Sequence, residues 1–159
     1  MKLKINPEYA KRHLFVTVLM LGLGLWFAYD GLITYPSLSA SELYKSIEKS
    51  DPPASMSTDA LEKFKTQKTQ TQYGFAALSL LAALIVGFRL SKSWRFAMDF
   101  DEDSFTVNGQ KFSFGDISSV NLDKWETKRI AVITLKNNET LTLDAWHHVG
   151  VKEFIEKTR

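Results

Sequence analysis

Cysteine is absent from this chain. That removes disulfide frameworks, thiolate metal sites and lipoprotein acylation together, and leaves the redox compartment open. An excess of charge of one sign is lacking too: 20 Lys and Arg stand against 18 Asp and Glu, a formal +2. From Lys92 to Arg159 ten basic side chains face eleven acidic ones, so nucleic acid is not an expected partner. Glycine is scarce, and Gly22 and Gly24 fall inside an apolar run instead of following a strand, which excludes a phosphate loop or dinucleotide motif. No Ser/His/Asp set is recognisable, and neither an enzyme nor a cofactor is expected. His147 and His148 are adjacent, so on a regular element they diverge and do not act as paired metal ligands. Asp99, Asp101 and Asp103 have the spacing of a calcium loop, but Ser104 replaces the turn glycine and Gln110 the bidentate glutamate. No metal site is expected.

What the chain does have is two long apolar runs. Their strength is hidden in a mean hydropathy of -0.14, which averages them with charged flanks. Residues 14–35 and 73–90 approach the roughly 20 residues that cross a hydrocarbon core of about 30 Å, predicting a two-helix transmembrane hairpin. Lys2, Lys4, Lys11 and Arg12 precede the first run, and Arg89, Lys92 and Arg95 follow the second. Cationic flanks of this kind predict that both termini are cytoplasmic, with residues 1–13 as a basic cytoplasmic N-terminus and residues 36–72 as an extracytoplasmic loop carrying short helices. A rival reading takes Met1 to about Ser39 as a cleaved secretory signal, although the apolar stretch from Leu14 to Tyr29 is longer than the usual core of such signals.

Gly24 and Ala28 in the first run, and Ser79, Ala83 and Gly87 in the second, recur at four-residue steps. Each set lies on one helix face and permits close backbone approach, predicting helix packing within the hairpin or between copies of the chain. Small residues are also simply common in membrane helices. Asp30 is the one carboxylate inside the hydrophobic region, a functional candidate by default. Tyr29, Tyr35 and Pro36 nearby mark it instead as an interfacial, structural residue. In the loop, Ser39 and Glu42 have capping-box spacing for a short helix carrying Leu43, Tyr44 and Ile47, which Asp51, Pro52 and Pro53 stop. A second helix starts near Ser57 or Thr58 and leads towards the second run.

After Trp94 the pattern changes to period two. Phe96, Met98 and Phe100 alternate with polar or small residues. Phe105 and Val107 are followed by Asn108-Gly109, a type I′ hairpin signal that places Phe105 opposite Phe112. Ile130, Val132 and Thr134, then Leu141, Leu143 and Ala145, read as a second hairpin with Lys136 facing Glu139. Val151, Phe154 and Ile155 give a terminal helix one apolar face. The expected fold class is membrane α plus β: two spans followed by a small antiparallel β domain over residues 91–159, closed by a C-terminal helix.

The run Phe105-Thr106-Val107-Asn108-Gly109, the segment Phe112 to Val120 with its Gly115-Asp116-Ile117 turn, the Ile130 to Leu143 hairpin and the Val151 to Ile155 helix resemble the pleckstrin-homology-like domains of small bacterial membrane proteins. The likeness is one of pattern, covers about Trp94 to Arg159, and is short for a complete seven-stranded domain. It implies a bacterial inner-membrane protein whose C-terminal domain binds or scaffolds a protein partner, or further copies of itself, as an accessory subunit of a membrane complex. The alternative is anionic-lipid sensing. Lys124, Trp125, Lys128 and Arg129 are the candidate contact, an aromatic ring with cationic neighbours suited to a protein or an anionic surface. Against phosphoinositide-type binding, the early loop that is basic in lipid-binding relatives is here Asp101-Glu102-Asp103. A third class, a small enzyme or transporter using Asp30, lacks evident polar partners in the runs.

Overall fold

The computed structural model describes residues 1–158 and divides into two compact units, Met1–Leu14 with Gly87–Arg159, and Phe15–Val86. The first unit contains a short strand at its start, β1 (Lys4–Ile5), and the first turns of helix α1 (Pro7–Tyr29). Asn6 sits before the proline and accepts the Glu8 N–H on Oδ1 at 3.0 Å, so the helix begins with a side-chain cap and a proline at its first turn. The basic N-terminal residues 1–13 thus form a strand and the start of a helix. Leu3 is buried in the core of this unit, and its N–H donates to the Met98 carbonyl at 2.9 Å. A Lys-Leu-Lys-Ile alternation with cations outward is the signal that charge counting overlooked.

Two three-stranded antiparallel sheets follow. One joins β2 (Met98–Phe100), β3 (Ser104–Val107) and β4 (Gln110–Ser113); the other joins β5 (Ile117–Asn121), β6 (Ile130–Leu135) and β7 (Thr140–Asp144). Lys2 bridges to Asp99 of β2, and β1 pairs with β8 (His148–Val149) through Lys4 with Val149 and Ile5 with His148. The residues after Trp94 and those before Pro7 thus form one β system. Asn108 and Gly109 both have positive φ, 49° and 90°, and Phe105 lies opposite Phe112, as the type I′ turn requires.

The second hairpin differs from expectation by one residue. The Leu135 N–H donates to the Glu139 carbonyl, and Asn138, at φ 66°, donates its N–H to the Leu135 carbonyl. The loop is three residues, Lys136 to Asn138, closed by a left-handed asparagine, so Glu139 faces Leu135 and not Lys136. The phase of β6 is also opposite to the row Ile130, Val132, Thr134: Ala131, Ile133 and Leu135 are the buried set. Apolar residues occupy both faces of Ile-Ala-Val-Ile-Thr-Leu, so alternation alone does not select one.

Helix α6 (Val151–Lys157) closes the unit. Its Phe154 is fully buried and meets Phe100 and Phe105 edge to face, each at 5.3 Å between centroids. Such pairs contribute about 0.5–1.5 kcal/mol each beyond burial.

The second unit holds the apolar part of α1, a π-helical turn Asp30–Thr34, a final turn α2 (Tyr35–Ser37), helix α3 (Ala40–Glu48) and most of helix α4 (Thr58–Arg95). Ser39 and Glu42 form the reciprocal capping box. The Ser57 hydroxyl accepts the Ala60 N–H to start α4, which continues unbroken for 38 residues. Two helices, Pro7–Ser37 and Thr58–Arg95, are long and apolar enough to cross a membrane.

Candidate functional site

Within the first unit, four separate stretches of chain surround a cavity of about 520 Å³. The first turns of α1 bring Tyr9 and His13, which are neighbours on a helix face. The last turns of α4 bring Arg89, Lys92, Ser93 and Arg95, the turn between β3 and β4 brings Asn108, and the end of β7, the following turn and the start of β8 bring Asp144, His147 and His148. All three histidines of the chain therefore line one space.

Tyr9 is its centre. Only 1% of this residue is exposed, and its ring lies 3.9 Å from that of His13 and 4.3 Å from that of His147. The Ser93 hydroxyl donates to the Tyr9 hydroxyl at 3.5 Å. His148, buried, donates Nε2–H to the Ser93 carbonyl at 3.2 Å and rests against Phe96 at 4.9 Å. His13 donates Nδ1–H to the Tyr9 carbonyl at 3.0 Å. A carbonyl only accepts, so these bonds fix which ring nitrogen carries the proton.

His147 lies 3.7 Å from Asp144, yet its pKa is held below the ordinary imidazole value. Burial is the main cause; Asp144 opposes it, and His148, His13 and Arg89 reinforce it by repulsion. Asp144 is itself engaged, accepting the Trp146 N–H at 2.8 Å. Arg89, Lys92 and Arg95 have no carboxylate within ion-pair distance among the described residues, and the cavity has one carboxylate against these three cations. The three imidazoles do not converge as ligands: no group of three His, Asp or Glu able to hold a metal ion occurs among the described residues.

The residues singled out from sequence lie elsewhere. Lys124, Trp125, Lys128 and Arg129 form and flank the short helix α5 (Trp125–Lys128). Trp125 is half-buried against the core, the Arg129 guanidinium stands 5.8 Å from its ring centre, and the cations point to solvent. The tryptophan is thus in large part a packing residue. Of the three carboxylates Asp99, Asp101 and Asp103, Asp101 serves the turn that precedes β3. Asp101 accepts the N–H groups of Ser104 and Asp103 at 2.7 and 2.9 Å, bonds that lower its pKa.

In the second unit, a Cβ added at Gly24 would lie 2.8 Å from the Leu80 side chain, and one at Gly31 2.9 Å from Tyr73. Ala83 is buried, while Ala28 and Ser79 are half-buried; Gly87, half-buried as well, falls in the first unit. Asp30, for which no partner was evident in sequence, accepts the Trp26 indole N–H at 2.9 Å. Lys65 donates to the Pro36 and Leu38 carbonyls, a cation at a helix C-terminus.

The His, Arg and Tyr cavity escaped sequence reasoning because its members are separated by up to 139 positions, from Tyr9 to His148. Compared with known proteins, the chain matches no family model, no curated protein and no solved structure.

Proposed function

We propose that the chain is a two-span membrane protein whose β unit is held at one face of the bilayer as a non-enzymatic binding module and scaffold for another protein. The observation that carries this reading is the shared β system: residues before the first apolar helix and residues after the second are hydrogen-bonded into one fold. Segments that pair in one sheet occupy the same side of a membrane, which supports placing both on one face. The cations Lys2, Lys4, Lys11, Arg12, Arg89, Lys92 and Arg95 favour the cytoplasmic face of a bacterial inner membrane. The burial of Leu3 also weighs against loss of this segment as a signal.

Support for the membrane comes from exposure. Only 11% and 17% of the most apolar windows of the two helices are buried by protein, unlike the core helix of a soluble domain, and Phe88 and Leu84 are 71% and 68% exposed. So large an apolar surface needs lipid or protein cover. Tyr73 and Trp94, both exposed, bracket the second apolar stretch as interfacial aromatics do. The resemblance to pleckstrin-homology-like domains gains from the N-terminal strand, which adds sheet that residues 91–159 lack.

Because the chain has no cysteine, single cysteines test the topology directly. Ser46→Cys should react with an impermeant maleimide on intact cells, and Lys136→Cys only after permeabilisation; the reverse pattern overturns the orientation. Crosslinking and purification of the full-length protein from its own membrane should return a stoichiometric protein partner. Recovery of the chain alone, or only of further copies of it, overturns the scaffold reading.

A further inference from the structure

We propose that the cavity lined by Tyr9, Arg89, Lys92, Arg95, His147 and His148 binds a phosphate-bearing anion, and binds it more tightly as the pH falls through the imidazole range. The proposal goes beyond the scaffold reading, and only its lipid arm rests on the membrane placement above.

The charge balance points to an anion. Arg89, Lys92 and Arg95 recur at three-residue steps over the last turns of α4, all lining the cavity and none paired to a carboxylate among the described residues. Asp144 is the one carboxylate in the lining, and its oxygens already serve the Trp146 N–H and His147. A guanidinium presents a planar fork of donors matched to phosphate oxygens, and an ammonium adds a point charge.

Neutral donors are also present. Asn108 uses Oδ1 to accept the Ala97 N–H at 3.1 Å, which leaves its amide hydrogens for the cavity that it lines. Thr142 lines the same space. Phe96 and the buried Tyr9 form an apolar wall. A volume of about 520 Å³ is within the range of about 300–1,000 Å³ typical of small-molecule sites. The combination suits a phosphate group attached to an organic body, either a phospholipid headgroup or a soluble phosphate ester.

The pH dependence follows from the full set of neighbours. From α1 come Tyr9 and His13, from α4 the three cations, and from β7 and β8 Asp144, His147 and His148. Of these only Asp144 favours a charged His147, while burial, His148, His13 and Arg89 keep it neutral. A bound phosphate supplies negative charge where protonation is otherwise opposed, so anion and proton bind cooperatively.

The test uses the full-length protein in neutral detergent with ring-labelled histidine, since every imidazole of the chain faces this cavity. Dioctanoyl phosphatidate should shift the His147 and His148 resonances saturably, and dioctanoylglycerol, which has no phosphate, should not. Affinity should rise from pH 8 to pH 6. Arg89→Gln or Arg95→Gln should weaken it about ten-fold or more, as loss of a charge-assisted bond does, whereas Lys124→Gln, outside the cavity, should leave it unchanged. Unligated spectra of each variant control for folding. Equal response to inorganic phosphate identifies the soluble group as the source; response to phosphatidate alone identifies the lipid headgroup. No saturable shift with either, or unchanged affinity in both arginine variants, overturns the proposal and leaves the topology and partner tests unaffected.

Discussion

Replacing Leu3 by alanine separates a structural N-terminal strand from a loose basic tail. Leu3 is 3% exposed and belongs to the same core as Met98, Phe100 and Phe154. Removing about three buried carbon groups at about 0.8 kcal/mol each gives about 2.4 kcal/mol. The unfilled space brings the cost to about 3 kcal/mol, within the range of about 2–5 known for such substitutions. For a unit this small, each kcal/mol lowers the unfolding midpoint by about 4–8 °C, so a fall on the order of 15 °C is expected. Thermal unfolding of the full-length protein in detergent, followed with hydrogen exchange at the β6 amides around Ile133, measures it. Lys2→Ala is the matched control: its Nζ is 4.0 Å from Asp99 with both side chains more than half exposed, worth at most about 1 kcal/mol. Equal behaviour of the two variants would refute the strand assignment and restore the tail.

Gly24→Leu should force the two long helices apart, because even a Cβ there meets Leu80 at 2.8 Å; the contact between the Phe27 and Phe75 rings, 5.3 Å between centroids, should give an inter-ring nuclear Overhauser effect in the parent that is lost in the variant. Gly109→Ala should cost about 1–2 kcal/mol, read as a lower urea midpoint, through its φ of 90° alone, since nothing lies within 4 Å of an added Cβ. The His147 pKa is lower folded than unfolded, so the unfolded chain binds the extra proton first. Stability should hold above the ordinary imidazole value of about 6.5 and decline as pH falls below it; in His147→Gln, urea titrations at pH 7.5 and 5.5 should differ less than in the parent.

Features whose chemistry is complete within a few residues were readable from sequence. Asn108-Gly109 encodes positive φ at both turn positions, and Ser39 with Glu42 encodes a helix start through two reciprocal bonds. The apolar stripe Val151, Phe154, Ile155 needs only helical spacing to define a buried face. Where two local solutions compete, the pattern gave less. Lys136 to Glu139 fits a two-residue or a three-residue loop, and the choice went to Asn138 because asparagine tolerates the left-handed conformation. Strand β6 is apolar on both sides, so its inward face depends on what packs against it. Among site residues, Trp125 with its cations was conspicuous in sequence but packs on the core, whereas His147 and His148 were set aside as divergent neighbours.

The sequence by itself determined the presence of two apolar runs, the Asn108-Gly109 turn, the Ser39 cap, and the presence of a small β region ending in a helix, since these rest on hydropathy and local hydrogen bonding. Only the tertiary structure decided that Met1 to Ile5 completes that region and that Tyr9 and His13 meet Arg89 and His147 around one cavity. Burial is non-directional, and any apolar surface of suitable shape satisfies it. Which distant segments satisfy one another is therefore settled only when the whole chain competes for the same core.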